Sequence, residues 1–175
     1  MVRAWGSTEA ERAAPLPCDR FLPAADDVAD RAIDVSAPPP VVFRRLCQLR
    51  VAPYSYDLID NLGRRSPRDL TPGLEHLELG QRFAHIFRLV DVEPGRSLTI
   101  RTDGGPFGDV VCTYAVSPGP GGSRLVVRLR VRYPRGPVGL VWRAVLPPGD
   151  LVMMRKQLRT LAALAERDAA TARPG

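Results

Sequence analysis

Arg124-Leu125-Val126-Val127-Arg128-Leu129-Arg130-Val131-Arg132-Tyr133 reads as a β-strand with two unlike faces. Leu125, Val127, Leu129 and Val131 recur every second residue, and Arg124, Arg128, Arg130 and Arg132 fall on the opposite side. A period of two with one apolar face belongs to a sheet that covers a core on one side only. The expectation is that the leucine and valine face looks inward and the arginine row meets solvent.

Working backwards, residues 83–92, 97–102 and 109–117 carry the same strand character. They are separated by Glu93-Pro94-Gly95-Arg96, Gly104-Gly105-Pro106 and Pro118-Gly119-Pro120-Gly121-Gly122, which are turn sequences. An antiparallel meander follows. Because a strand rather than a helix comes after the last of these turns, Gly119 to Gly122 reads as a hairpin and not as a phosphate loop.

Working forwards, residues 138–146 read as a further edge strand, and Pro147-Pro148-Gly149-Asp150 reads as the opening of a final helix with Asp150 as its cap. In that helix Leu151, Met154, Leu158, Leu161 and Ala165 recur at three and four residues, one apolar stripe reaching to about residue 167. A sheet with one apolar face needs a cover, and this helix is long enough to supply it. The predicted fold class is therefore α+β, a two-layer sandwich of an antiparallel sheet and a long C-terminal helix.

The first half of the chain is less regular. Residues 29–35 predict a strand, and the prolines at 38–40 suit the first turn of a helix over 39–49. Val42, Phe43, Leu46 and Leu49 face the core on it, with Arg44 and Arg45 near the edge. Residues 54–79 form a polar connection of the kind that often makes the mouth of a pocket, with short helical turns at 56–62 and 66–70. Residues 1–28 show no sustained period and predict an extended lead-in that adds little core. The organisation expected is that lead-in, one domain over 29–168, and a flexible tail over 169–175.

Composition narrows the function. A chain of 175 residues fits one domain. No run of about 18 apolar residues exists to span a membrane, and Gly6-Ser7-Thr8-Glu9 stands where a signal peptide would be apolar, so a cytoplasmic location is expected. Cys18, Cys47 and Cys112 are odd in number and widely spaced, which argues against a disulfide framework. With His76 and His85 the only histidines, no metal site is expected. The net charge of +6 is carried by residues 110–149, which hold six arginines and no acid. Aromatic interleaving is missing there, so no nucleic-acid partner is expected.

Several motifs together carry a resemblance. They are Trp5-Gly6-Ser7-Thr8 with Glu11, Arg31-Ala32-Ile33-Asp34-Val35 followed by Ala37-Pro38-Pro39, and Tyr54-Ser55-Tyr56-Asp57. Leu77 with Leu79-Gly80, Ser123 to Arg128, and Pro148-Gly149-Asp150 with Met153 and Leu158 complete the set. On these the chain resembles the START-like helix-grip (SRPBCC) superfamily, in its bacterial polyketide cyclase/dehydrase-like branch. The resemblance covers almost the whole chain and implies a curved antiparallel sheet wrapped around the C-terminal helix, with a cavity between them for lipids, polyketides or other apolar molecules.

The residues expected to line that cavity are Tyr54, Tyr56, Asp57, His85, Tyr114, Met153, Met154 and Leu158. Tyr114 shares a face with Cys112 and Val116 and should point inward, where its hydroxyl needs a partner or a ligand. Tyr56, Asp57 and His85 are the candidate acid and base groups, since a phenol, a carboxylate and an imidazole can move a proton at a carbonyl. Packing of Tyr56 beneath the first helix, an outward His85 and plain core methionines stand as alternatives. Three functions compete: binding of a small apolar molecule; a cofactor-independent cyclase or dehydrase; and an interaction or membrane-surface module using the arginine row. A pocket of about 300 Å³ or more would favour a ligand.

Overall fold

The computed structural model describes residues 3–55, 65–84, 86–102, 105 and 108–172. Among them seven strands form one open, curved sheet: β1 (Ala4–Trp5), β2 (Asp27–Val35), β3 (Arg82–Phe83), β4 (Phe87–Glu93), β5 (Ser97–Thr102), β6 (Asp109–Gly119) and β7 (Gly122–Arg132). Their order is β1-β2-β7-β6-β5-β4-β3, antiparallel throughout except where β1 runs parallel to β2. The expected meander is present. β6 and β7 meet in a hairpin closing at Gly119 and Gly122, and Gly121 (φ 78°) supplies the left-handed residue that such a turn requires. The single strand expected over 83–92 is instead two, because the chain reverses between Phe83 and Phe87, with Ala84 at φ 39°.

Helix α3 (Pro39–Cys47) and the long helix α4 (Pro137–Thr171) lie on the inner face of the sheet. Val42, Phe43 and Leu46 of α3, Leu89 of β4, Ile100 of β5, Tyr114 of β6, Leu125 and Val127 of β7, and Leu158, Leu161 and Ala165 of α4 close the main core. Helix α3 passes into a short 3₁₀ turn, Gln48–Arg50. The turn expected at 56–62 lies outside the described residues. Residues 66–70 form no helical turn; Thr71 instead exchanges hydrogen bonds with the buried Gln48 side chain, at 2.9 and 3.2 Å. Arg45 is not at the edge of α3 but fully buried, its guanidinium bonding Asp168 of α4 at 2.6 and 2.7 Å.

The expected strand over 138–146 is helical. α4 starts at Pro137 after Gly136 (φ 80°) and runs through Pro147 and Pro148 to Thr171. Trp142 and Leu146 pack on Val110, Val131 and Tyr133, and this burial outweighs the two prolines that read locally as a stop. Gly139 is required at the start, since a Cβ there would collide with the carbonyl of Pro134. Asp150 therefore caps nothing. It turns inward and accepts from Arg31 Nη2 of β2 at 2.9 Å.

The largest departure concerns residues 1–27. Thr8 and Glu11 form a reciprocal capping box that starts α1 (Glu9–Ala13). Pro17 in the first turn, with Asp19 accepting from the Leu16 N–H at 2.8 Å, starts α2 (Pro17–Phe21). Both helices cover the outer face of the sheet, where Cys18, Leu22 and Val111 make a second, smaller core. The Cys18 N–H donates to Thr113 of β6 at 2.9 Å, within that cover. Trp5 lies under the guanidinium groups of Arg155 and Arg159, at 5.3 and 5.7 Å, which ties β1 to α4.

The arginine row of β7 is consequently not a solvent face. Arg128 bonds Asp30 at 2.7 Å and Asp19 at 2.8 Å; Arg130 bonds the other oxygen of Asp19 at 2.8 Å; Arg124 bonds Glu11 at 2.7 and 3.0 Å. Those hydrogen bonds from Arg124 hold the Glu11 carboxyl down to about 2. The acids missing from residues 110–149 are supplied by the first 34 residues of the chain.

Candidate functional site

Among the described residues, the layer between sheet and α4 is apolar except at the Arg31–Asp150 pair and at one uncharged point beside it. Alternation along β6 turns Tyr114 inward, as expected, and buries it. Its hydroxyl donates to Gln157 Oε1 of α4 at 2.8 Å, and Gln157 Nε2 donates in turn to the carbonyl of Pro53 at 2.6 Å. The relay joins the middle of the sheet, the middle of α4 and the start of the 54–79 connection. Burial pushes the Tyr114 hydroxyl well above the ordinary tyrosine range, so it is a proton-bearing donor at any physiological pH.

Met154 and Leu158, one helical turn apart, belong to the same layer, with Met154 Sδ 3.9 Å from the Tyr114 hydroxyl. Met153 is half-buried. Tyr54 is also buried in the main core, with φ 56°, an unusual backbone for a bulky residue, which needs firm packing around it to persist. The structure thus brings together Tyr54, Tyr114, Met154 and Leu158. Tyr56, Asp57 and His85 lie outside the described residues. Gln157 was not among the residues expected here: it sits one position before Leu158, and only its partner on β6 reveals that it points inward.

A concavity lies away from this layer. It has a volume of about 650 Å³ and sits where β7 turns into α4, between Ala24, Asp26, Arg132, Tyr133, Arg135 and Leu140. Of the expected lining residues that are described, Tyr54, Tyr114, Met153, Met154 and Leu158, none borders it. Asp26 accepts from the Tyr133 N–H at 2.9 Å and from Arg143 Nη2 at 2.8 Å, and the Arg143 guanidinium lies 5.4 Å from the Tyr133 ring centre. Burial, with Asp27 nearby, pushes the Tyr133 hydroxyl up to about 12.

Cys18, Cys47 and Cys112 are buried free thiols. Among the described residues no group of three or more His, Cys, Asp or Glu side chains is placed to hold a metal, and no helix is long and apolar enough to cross a membrane.

Comparison with known proteins places this geometry. A family model described as "Polyketide cyclase / dehydrase and lipid transport" matches residues 28–166. Among solved structures, a protein from Chromobacterium violaceum is similar at 18% identity with a TM-score of 0.53, over 79% of this chain and 97% of that one. A protein from Nitrosomonas europaea is similar at 12% identity with a TM-score of 0.51, over 89% of this chain and 99% of that one. At such identities these likenesses speak for the fold. No curated protein gives a significant match.

Proposed function

Because the chain belongs to the polyketide cyclase/dehydrase and lipid transport family, we propose that it binds a small, largely apolar molecule between the sheet and α4, oriented by Tyr114 and Gln157. The observation that carries this reading is the buried relay from the Tyr114 hydroxyl through Gln157 to the Pro53 carbonyl, uncharged polar groups set among the apolar side chains of the main core. A ligand carbonyl or hydroxyl can take the place of Gln157 at the phenol, exchanging one hydrogen bond for another, while Met154 and Leu158 adapt to an apolar body. Such an interior selects by shape and by an uncharged polar point, because Arg31 and Asp150 are paired with each other.

Native mass spectrometry of protein purified without delipidation tests the reading. The parent should carry a reproducible bound mass. Tyr114→Phe should still melt cooperatively, at a somewhat lower temperature because Gln157 Oε1 loses its donor, and bind that molecule roughly five- to tenfold more weakly, the effect of one hydrogen bond. A parent that shows only its own mass, or a variant that binds as well as the parent, would count against it.

A second reading is a cofactor-independent cyclase or dehydrase in the same interior. It is favoured by a phenol that burial keeps protonated, as a proton donor to a carbonyl must be. Tyr56, Asp57 and His85 are then the candidate partners, and Asp57→Asn should reduce turnover more than binding. A carrier would show a change in affinity alone.

A further inference from the structure

The outward side of the first half of α4 is apolar where a surface helix would be polar. Val138, Val141, Val145 and Val152 follow one another at three, four and seven residues, which lays them along one line of the helix, and each is more than half exposed. Trp142 and Leu146, on the other side, pack on Val110, Val131 and Tyr133, so the valine line is turned away from the protein. Leu140, at 70% exposure, adds to it at the rim of the 650 Å³ concavity.

The charges around this line are mostly basic, the exception being Asp26, which pairs with Arg143 at the rim of the concavity. Beyond Val152 the exposed residues on the helix become Arg155, Lys156 and Arg159. At the other end Arg132, Arg135 and Arg143 border the concavity. Asp150 is the only acid between residues 137 and 165, and it faces inward to Arg31.

These features select the occupant. A second copy laid against this face would set arginine against arginine, and like charges brought together oppose association. Nucleic acid would find basic side chains but valines in place of the aromatic platforms that bases stack on. A bilayer with anionic headgroups meets both features: the apolar line enters the headgroup and acyl boundary, and the flanking basic side chains stay among the phosphates. We propose that the first half of α4 docks this protein onto an anionic lipid surface, through Val138, Val141, Val145 and Val152, with Arg135 and its neighbours at the headgroups. The docking face is on the outside of the helix and does not depend on what occupies the interior.

Co-sedimentation of the full chain with vesicles tests this, using phosphatidylcholine alone or with added phosphatidylglycerol. The parent should pellet with the phosphatidylglycerol vesicles and stay in solution with phosphatidylcholine alone. Val141→Asp combined with Val145→Asp should lower the bound fraction roughly tenfold or more, the loss of two buried side chains, and Arg135→Glu should lower it several-fold. Because the substituted residues face outward, thermal melts should match the parent and separate lost docking from lost folding. Equal pelleting with both vesicle types, or pelleting unaffected by the two aspartates, would overturn the proposal. So would sedimentation equilibrium showing a lipid-free dimer that the aspartates disperse, which would assign the face to a second copy.

Discussion

Arg128 is 4% exposed, yet each of its five N–H groups has an acceptor: Asp30, Asp19 and the carbonyls of Glu11, Arg12 and Ala14. Alternation along β7 correctly gave the side of the sheet on which Arg128 lies. What it could not give was the destination, because these acceptors lie 98 to 117 residues away in the chain and no local pattern carries that information. Arg128→Met should therefore cost about 3–5 kcal/mol, since it leaves the buried Asp30 carboxylate without the guanidinium that bonds it; urea melts measure this, and a loss below about 1 kcal/mol would contradict the network. Asp150 has the opposite character. Burial pushes its carboxyl up to about 6 against the pull of Arg31. Between about pH 4 and 6 the folded chain keeps a proton that the unfolded chain has released, so raising the pH through this window lowers stability, by at most about 3 kcal/mol, with no further change above it. Asp150→Asn should remove that slope. The comparison to make is the difference between parent and variant melts from pH 4 to 7, and parallel curves would show that Asp150 ionises freely in the fold.

At the scale of elements, the second half of α4 was legible and the first half was not. Leu158, Leu161 and Ala165 repeat at helical spacing and are buried as that spacing demands. Leu158→Asp should abolish the cooperative thermal transition, because it sets an unpaired charge in the main core; a transition near the parent's would show that the interface is loose. Pro147-Pro148 reads as a stop because proline removes a helical donor, but the judgement is local, and the burial of Trp142 and Leu146 against Val131 and Tyr133 decides otherwise. The same limit applied to the site. Tyr114 was readable because its neighbours on β6 alternate, whereas Gln157 gave no sign, being a polar residue whose inward direction follows from a partner 43 positions earlier.

On the scale of the molecule, the sheet separates two unequal interiors, the main core under α3 and α4 and the smaller one under α1 and α2. The lead-in, expected to contribute little, makes the second of these and neutralises β7, and nothing within residues 1–27 taken alone indicates a face that exists only once the meander has formed. Each interior holds its own free thiol: Cys18 beneath the cover, Cys47 and Cys112 in the main core. Burial pushes all three up, Cys47 to about 12, so none reacts while its surroundings stay closed. The three sulfurs are thus clocks set at different depths. Alkylation followed by peptide mass spectrometry at rising urea should find Cys18 modified first, because fewer apolar contacts hold its interior shut. Modification of all three at one common rate would mean that the cover cannot lift without the whole chain unravelling, and that the first 27 residues are as much a part of the folding unit as the helix on the opposite side.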